Sequence, residues 1–596
     1  MGVKSILVLT AAAIAPQAAW SQDVIELEEA FVFSGLLPVA VSRTGATVEV
    51  LEGAELDRQG QSVQEALARL PGVSVVANGG LGQESTLVIR GLGETYIGVT
   101  YDGIEITDPA APTNAFAFGQ LSRAQAGRVE LTKGTQTAVY GSDAIAGTVD
   151  IVSWRPDKDG VSYRANVEAG SFGTLAGSLS MGQRSETAEV AFTVSRITSD
   201  GYAADVTNTE ADGFRQTVLS FALKGSLSDT VDAGVTLFHS DDETEYDAFG
   251  SPVGLSDGER TGIRAFMQAR TGAIEHEVAM SFFTGQRDEV SAFGPFPFEG
   301  QREKLEYTGR TRLGAAAALA FGADWTEEVS SAGGTAYMDE NTGIYGEITY
   351  ALSSQTDLAV SLRQDFYSDF DDQATGRIAA VHRYGNGVTV KGTLGTGYRA
   401  PSLQERFGFG GDVTFVPEES LGGDFGVTKD YGSGSMGITA FYTEIDNLIR
   451  YDRATFSLFQ LPGMTTSRGV EVSSDWRFGS ATVYGNYTYT DAETVGARLV
   501  RVPRHDLTLG VEGPLAGAWS GSANIRAVRD LLDVNGAGES VDLDDFKVVN
   551  VGLSYDISEL TEAYLRLDNV LDEDYQTTLG YDAPGRSVFV GLSASF

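Results

Sequence analysis

From about Trp154 to Phe596, apolar and polar residues alternate with the period of an extended strand. "GVSYRANVEAG" places Val161, Tyr163, Ala165 and Val167 on one face and Ser162, Arg164, Asn166 and Glu168 on the other. The terminal "RSVFVGLSASF" repeats the pattern, with Val588, Val590, Leu592, Ala594 and Phe596 on one face. Its opposite face, Ser587, Phe589, Gly591, Ser593 and Ser595, is mostly small or polar. Such segments recur for some four hundred residues, joined by turns such as "YGNG" and "FGSA", with no helical period between them. A water-soluble sandwich would bury the apolar face and usually split into domains of modest size. A membrane-spanning barrel instead turns that face to lipid and the polar face to its lumen, and closure leaves no sheet edge. At roughly 20 residues per strand and turn, the segment holds about 22 antiparallel strands, a barrel wide enough to contain a folded plug. The fold class this predicts is an all-β membrane protein with the barrel over residues 154–596.

Residues 36–153 have a different texture. "QSVQEALARLPGVSVV" carries Val63, Ala66, Leu67 and Leu70 at helical spacing, with Ser62 and Glu65 set for a capping box and Pro71-Gly72 as a stop. Short apolar strands follow in "STLVIRG", "YIGVTYDGIEI", "RVELTKG" and "GTVDIVS". This is a small α+β domain. A barrel of that width left open would leak, and a domain of this size can fill it.

The first residues change the picture again. Lys4, an apolar run from Ile6 to Ala15, Pro16 and small residues up to Ser21 lay out a secretory leader over residues 1–21. The run is too short for a spanning helix of about 20 residues. Behind it, in a tail over residues 22–35, "EEAFVFSG" reads as a short strand with no partner beside it, an arrangement that invites strand addition. There are no cysteines, so neither disulfides nor a cysteine metal site enter. Lys and Arg number 42 against 82 Asp and Glu, a net charge of −40 that excludes nucleic acid as a partner.

Several of these segments carry a resemblance. "LPGVSVVANGGLGQESTLVIRG", "YDGIEI" and "RVELTKGTQTAVYGSDAIAGTVDIVS" resemble the plug domain of TonB-dependent outer-membrane receptors, and "NVLDEDYQTTLGYDAPGRSVFVGLSASF" is similar to their closing strands. Within the family the narrower likeness, carried by "NGGLGQ", "AVYGSDAIAG" and "YQTTLGYDAPGR", is to receptors for cobalamin. The resemblance implies an outer-membrane location in a Gram-negative bacterium, contact with outer-membrane lipids, and energised import rather than catalysis. It implies that Glu29, Ala30, Phe31, Val32, Phe33 and Ser34 form a Ton box, paired by TonB through main-chain hydrogen bonds in the periplasm.

Residue roles follow from the same resemblance. Arg90 and Lys133 match plug positions that pair with carboxylates of the barrel wall, here Asp424 and Glu471. Lys where Arg is usual, and Asp where Glu is usual, remove bidentate geometry and predict a weaker lock. Two acidic segments, "ADVTNTEADGF" and "HSDDETEYDAFGSP", match calcium loops most directly at Asp212 and Asp241, with Asp205, Glu210 and Asp247 nearby. Calcium takes six to eight oxygens, so several carboxylates are needed. Solvated surface is the plain alternative, and Ala203 stands where one further ligand is expected.

The substrate expected on this likeness is cobalamin or a related corrinoid. Corrinoids present amides and apolar faces, which small polar groups and a few rings suit. The plug loops offer Gly93, Glu94, Thr95, Tyr96, Thr113, Asn114 and Phe116, with Phe249 from the barrel, and these loops contain no cation. A ferric siderophore or another scarce solute is the alternative within the class, and a passive porin the alternative outside it. Haem is disfavoured because "GYRAPSLQERFGFGG" holds no histidine. "GLSDG" matches a nucleophile elbow but lacks the strand–turn–helix context, and no catalytic constellation accompanies it.

Overall fold

The computed structural model describes residues 31–32, 34–56, 60, 62–247, 254–292, 294–452 and 455–596. The expected leader and the tail up to Ala30 lie outside the described residues. From Gly160 onward the chain forms a closed antiparallel barrel of 22 strands, each paired with its sequence neighbour. The last strand, Ser587–Ser595, closes on the first, Gly160–Gly170, from Gly170↔Phe589 to Arg164↔Ser595. The alternation seen in the sequence decides which way each side chain points. Val161, Tyr163, Val167, Val588, Val590, Leu592 and Phe596 are exposed on the outside, whereas Glu168 is buried in the lumen. Among the described residues no helix is long and apolar enough to cross a membrane.

The two barrel ends differ. At one end two-residue turns join strands, as between Ser228 and Val231, Thr271 and Ile274, or Phe478 and Ala481. At the other, longer connections such as 400–417 carry structure of their own, including the helix Leu403–Phe407. Tyr163, Tyr350, Tyr384, Tyr431, Phe478, Trp519, Tyr555 and Phe596 stand exposed near the short-turn end, the aromatic girdle of a membrane interface. That end is therefore the periplasmic one. The strands Ile274–Ser291 and Gly294–Leu313, of 18 and 20 residues, outrun the ~9–11 residues a spanning strand needs and build a wall above the membrane.

Inside lies a five-stranded mixed sheet, in the order Thr47–Glu52, Arg128–Lys133, Gly147–Val152, Ile97–Tyr101, Ile104–Glu105. Its two faces have opposite character because residues alternate along each strand. One face, with Val99, Val129, Leu131, Val149 and Ile151, packs with Leu67, Ile89 and Phe118 into an apolar core. Phe238, Phe283 and Ile445, from well-separated strands of the barrel, complete that core, so apolar packing crosses the boundary between plug and wall. The other face carries Thr100, Glu130, Thr132, Thr148 and Asp150, with Glu130 opposite Asp150 and Thr132 opposite Thr148. The helix Val63–Leu67 starts at Ser62, whose hydroxyl accepts from the amide of Glu65.

Candidate functional site

The plug is held by guanidinium groups. Arg90 sits in a tight turn in the left-handed region at φ 50°, a conformation that costs roughly 1–3 kcal/mol in a non-glycine residue. Its amide donates to Gly72 O at 2.7 Å. From there Nε and Nη2 donate to the two oxygens of Glu471 at 2.9 and 3.1 Å, and Nη1 to Asp424 Oδ2 at 2.8 Å. Gly72 is required for this approach, because its φ is +72° and a Cβ there would collide with the Glu471 carboxylate. Burial works against the Arg90 charge, but Glu471 and Asp424 outweigh it and raise the pKa. Bidentate pairing is kept between Arg90 and Glu471, whereas Asp424 takes a single nitrogen of Arg90. Thr47 and Thr393 hydroxyls, at 3.1 and 2.8 Å, satisfy the rest of the shorter Asp424. Lys133 turns mainly into the plug, donating to Pro71 O at 2.5 Å and lying 3.1 Å from Glu49, with Glu471 at 3.8 Å.

Two further anchors gave no motif in the sequence. Arg123 of the plug donates to Glu168 and to the Tyr564 hydroxyl, each at 2.9 Å. Arg302 of the wall reaches inward to Thr107 O at 2.9 Å and Asn114 Oδ1 at 3.3 Å, while ion-pairing with Glu328. Arg123 stands in a short helical turn and Arg302 on an alternating strand, and neither has a spacing that would single it out. Arg399, bridging Glu405 and Glu418 at 2.8–2.9 Å, was readable in part, because Ser402 and Glu405 stand at capping-box spacing behind it and form that box.

The N-terminal strand is not unpaired. Phe31 and Val32 form an antiparallel pair with Ala40 and Val39, and Val32 is fully buried. A two-residue partner eight residues away is too short to register as a strand in the sequence. The Ser34 hydroxyl bonds Thr44 at 2.7 Å, and Arg377 of the wall donates to Ser34 O at 2.9 Å. Gly35 lies so close to Glu347 that any side chain there would displace the carboxylate. Glu29, Ala30 and Phe33 lie outside the described residues.

The loops expected to meet substrate divide. Tyr96 and Phe116 are buried in the plug core, Phe116 edge-on to Phe118 at 5.1 Å, so neither offers a ring face to solvent. Gly93, Glu94, Thr95, Thr113 and Asn114 are half-buried, and Phe249 lies outside the described residues. Burial pushes the Glu94 carboxyl up to about 8. These loops contain no cation of their own, but the wall supplies them: Arg302 bonds Asn114, and Arg287 lies 3.4 Å from Asp108. Reading the loops alone missed this because the partners are nearly two hundred residues distant. A cavity of about 70 Å³ opens between Asn114, the turn 140–143 and the wall residues Asp324, Asn341 and Arg363.

The acidic loops assemble only in part: Asp205, Glu210 and Asp247 neighbour Asp212, whereas Asp241 stands apart. Asp241 is exposed on the outer face of its strand, while its neighbour Asp242 is buried inside. The period of two puts adjacent residues on opposite faces, so Asp241 cannot join Asp212. Asp205 accepts from Thr207, and Asp247 from Asn208 at 2.6 Å. Burial, then Asp247, Glu210, Glu245 and Asp205, push Asp212 up to about 7. No group of three or more acidic or histidine residues converges to hold a metal ion among the described residues. Of the five carboxylates named for calcium, Asp241 is the one the fold removes.

Comparison with known proteins gives the class. Residues 153–570 match the family model "TonB dependent receptor-like, beta-barrel", and residues 40–148 match "TonB-dependent Receptor Plug Domain". The chain belongs to the TonB-dependent receptors, outer-membrane transporters that work with TonB. Among solved structures it is similar to the siderophore receptor PirA from Acinetobacter baumannii, at 14% identity and TM-score 0.80, covering 92% of this chain and 98% of that one. A mutant of the ferric enterobactin receptor from Pseudomonas aeruginosa gives 14%, 0.79, 92% and 98%. The copper transporter OprC gives 17%, 0.79, 93% and 99%.

Two outcomes follow from this geometry. Replacing Arg90 by Ala strands two buried carboxylates, a loss of about 3–5 kcal/mol. Hydrogen exchange of plug amides around Gly72 and Arg90 accelerates accordingly, while exchange in barrel strands far from the plug is unchanged. Asp212 has a folded pKa above its unfolded one, so its loop is best packed below about pH 4 and loosens as pH rises to about 7. Exchange in residues 200–213, corrected for intrinsic rate, is faster at pH 8 than at pH 5, and Asp212→Asn removes the difference.

Proposed function

We propose that this receptor imports a metal chelate of the ferric siderophore type, taken from outside and released to the periplasm with energy supplied through TonB. The observation that carries the substrate class is the cavity at the outer face of the plug. It is lined by charged groups of both signs, among them Glu105, Asp143, Lys304, Asp324 and Arg363. A charged, hydrogen-bonding chelate suits such walls, whereas a corrinoid needs amides and apolar faces. Tyr96 and Phe116, the rings that would serve a corrinoid, are already used in the core. Proteins of the same fold include siderophore receptors and a copper transporter. Cobalamin remains the second reading, supported by the likeness of "AVYGSDAIAG" and "YQTTLGYDAPGR".

For energy coupling we take Glu29–Ser34 as the segment TonB pairs with. Its docked state, with Val32 buried and Ser34 held by Arg377, is the resting arrangement from which it must be released.

Equilibrium binding of a ferric siderophore panel and of cyanocobalamin to the purified receptor separates the two substrates. Saturable binding of a ferric chelate with none of cyanocobalamin is the expected result; the reverse restores the corrinoid. Val32→Pro removes a main-chain donor and distorts the strand. Uptake then collapses while surface binding of the same ligand is retained, and normal uptake by that variant would remove the segment from the mechanism.

A further inference from the structure

The cavity beside the turn 140–143 has an uneven charge account. Asp324 is taken by Arg363, with both oxygens bonded at 2.8 Å, and Arg363 spends its Nε on Asp365. Glu328 pairs with Arg302 at 2.6 Å, and Glu105 with Arg302 and Lys304 at 3.4 and 3.9 Å. Asp339 reaches Arg406 at 3.7 Å and Glu340 is exposed, so among the enclosed carboxylates of the lining Asp143 alone takes part in no ion pair between described residues. Its donors are neutral, Ser142 Oγ at 2.6 Å and Asn114 Nδ2 at 3.4 Å.

Asp143 is also held in an unusual way. Its φ is 74°, in the left-handed region, and its amide donates to Tyr398 O at 3.3 Å. The amide of Ala400 donates to Ser142 Oγ at 2.9 Å, so the plug turn is sewn to the loop above it. A strained, fixed backbone aims this carboxylate rather than leaving it to find a partner. Across the cavity Asn341 donates through Nδ2 to Asp365 at 3.1 Å, which leaves its Oδ1 buried without a partner. A buried acceptor lacking a donor is unfavourable, and a ligand that donates there relieves it. The cavity therefore holds two sets of acceptors in want of hydrogen, one of them anionic, and its cations are already engaged.

We propose that this cavity receives a protonated amine of the transported chelate, with Asp143 as its counter-ion and Asn341 Oδ1 as a second acceptor. The inference rests on the siderophore reading and narrows it to chelates carrying a pendant ammonium, against the polyanionic kind. A free volume of about 70 Å³ admits such a group with a few waters and not a whole chelate. An ammonium has three donors and no acceptor, which is what this lining lacks. Burial pushes Asp143 up to about 7, against the opposing pull of Ser142 and Arg399, with Glu328 and Glu105 adding to the rise.

The test uses the purified full-length receptor and three probes: ferrioxamine B, which has a terminal amine; its N-acetylated form, the same iron chelate without that charge; and ferric enterobactin, a polyanion. The amine form should bind about tenfold or more tighter than the acetylated form, the order of one pairing of 1.4 kcal/mol. Asp143→Asn, which tolerates positive φ, should bring the two ferrioxamines to equal affinity. Asn341→Ala should narrow the gap as well. Equal affinities for the two ferrioxamines, a gap that survives Asp143→Asn, or preference for ferric enterobactin would overturn the inference and leave the siderophore reading standing. Saturable binding of none of the three would overturn that reading, and the inference with it.

Discussion

A lumen 22 strands wide must be filled by something that can also be moved. The structure meets this with buried guanidinium–carboxylate contacts between plug and wall, among them Arg90 held between Glu471 and Asp424. Such contacts add little net stability over apolar packing, because desolvating the charges offsets their attraction. What they do well is fix one position and punish any other, since moving Arg90 leaves two carboxylates stranded. The plug is thereby held in register without being fused to the barrel.

The two faces of the plug sheet divide the labour. Phe238, Phe283 and Ile445 extend the apolar core across the plug–barrel boundary on one side. On the other, Thr100, Glu130, Thr132, Thr148 and Asp150 present a hydrophilic surface, and the helix Thr137–Tyr140 runs beside it. The turn that follows this helix borders the outer cavity. Its Tyr140 reaches the Asp150 carboxylate, and Arg377, lower on the same wall, holds Ser34 of the N-terminal segment. The outer cavity and the docked N-terminal segment thus share one flank of the plug, and that flank is the polar one.

Much of the architecture was legible because it depends on period. Alternation in "GVSYRANVEAG" and "RSVFVGLSASF" assigned lipid and lumen faces, and the plug motifs placed Arg90, Glu471 and Asp424 close enough to name. What failed depended on distance or on very short elements. Val39–Ala40, the partner of the N-terminal strand, is two residues long. Arg302 and Asn114 meet across nearly two hundred residues, so the plug loops were read as free of cations when the wall supplies them. Asp241 was grouped with Asp212 by the likeness to calcium loops, although the strand period turns it to the outside. Phe116 was taken for a contact residue because loop aromatics often are, whereas here it completes a core.

The central claim, a closed barrel stoppered by a plug held through Arg90, is tested most directly by conductance in planar bilayers. The intact receptor should pass no ions in buffer, and open reversibly only when urea loosens the plug. Arg90→Ala should open at markedly lower urea while its barrel remains resistant to heat in detergent. Steady conductance of the intact chain in buffer, or identical urea thresholds for the two proteins, would contradict the account.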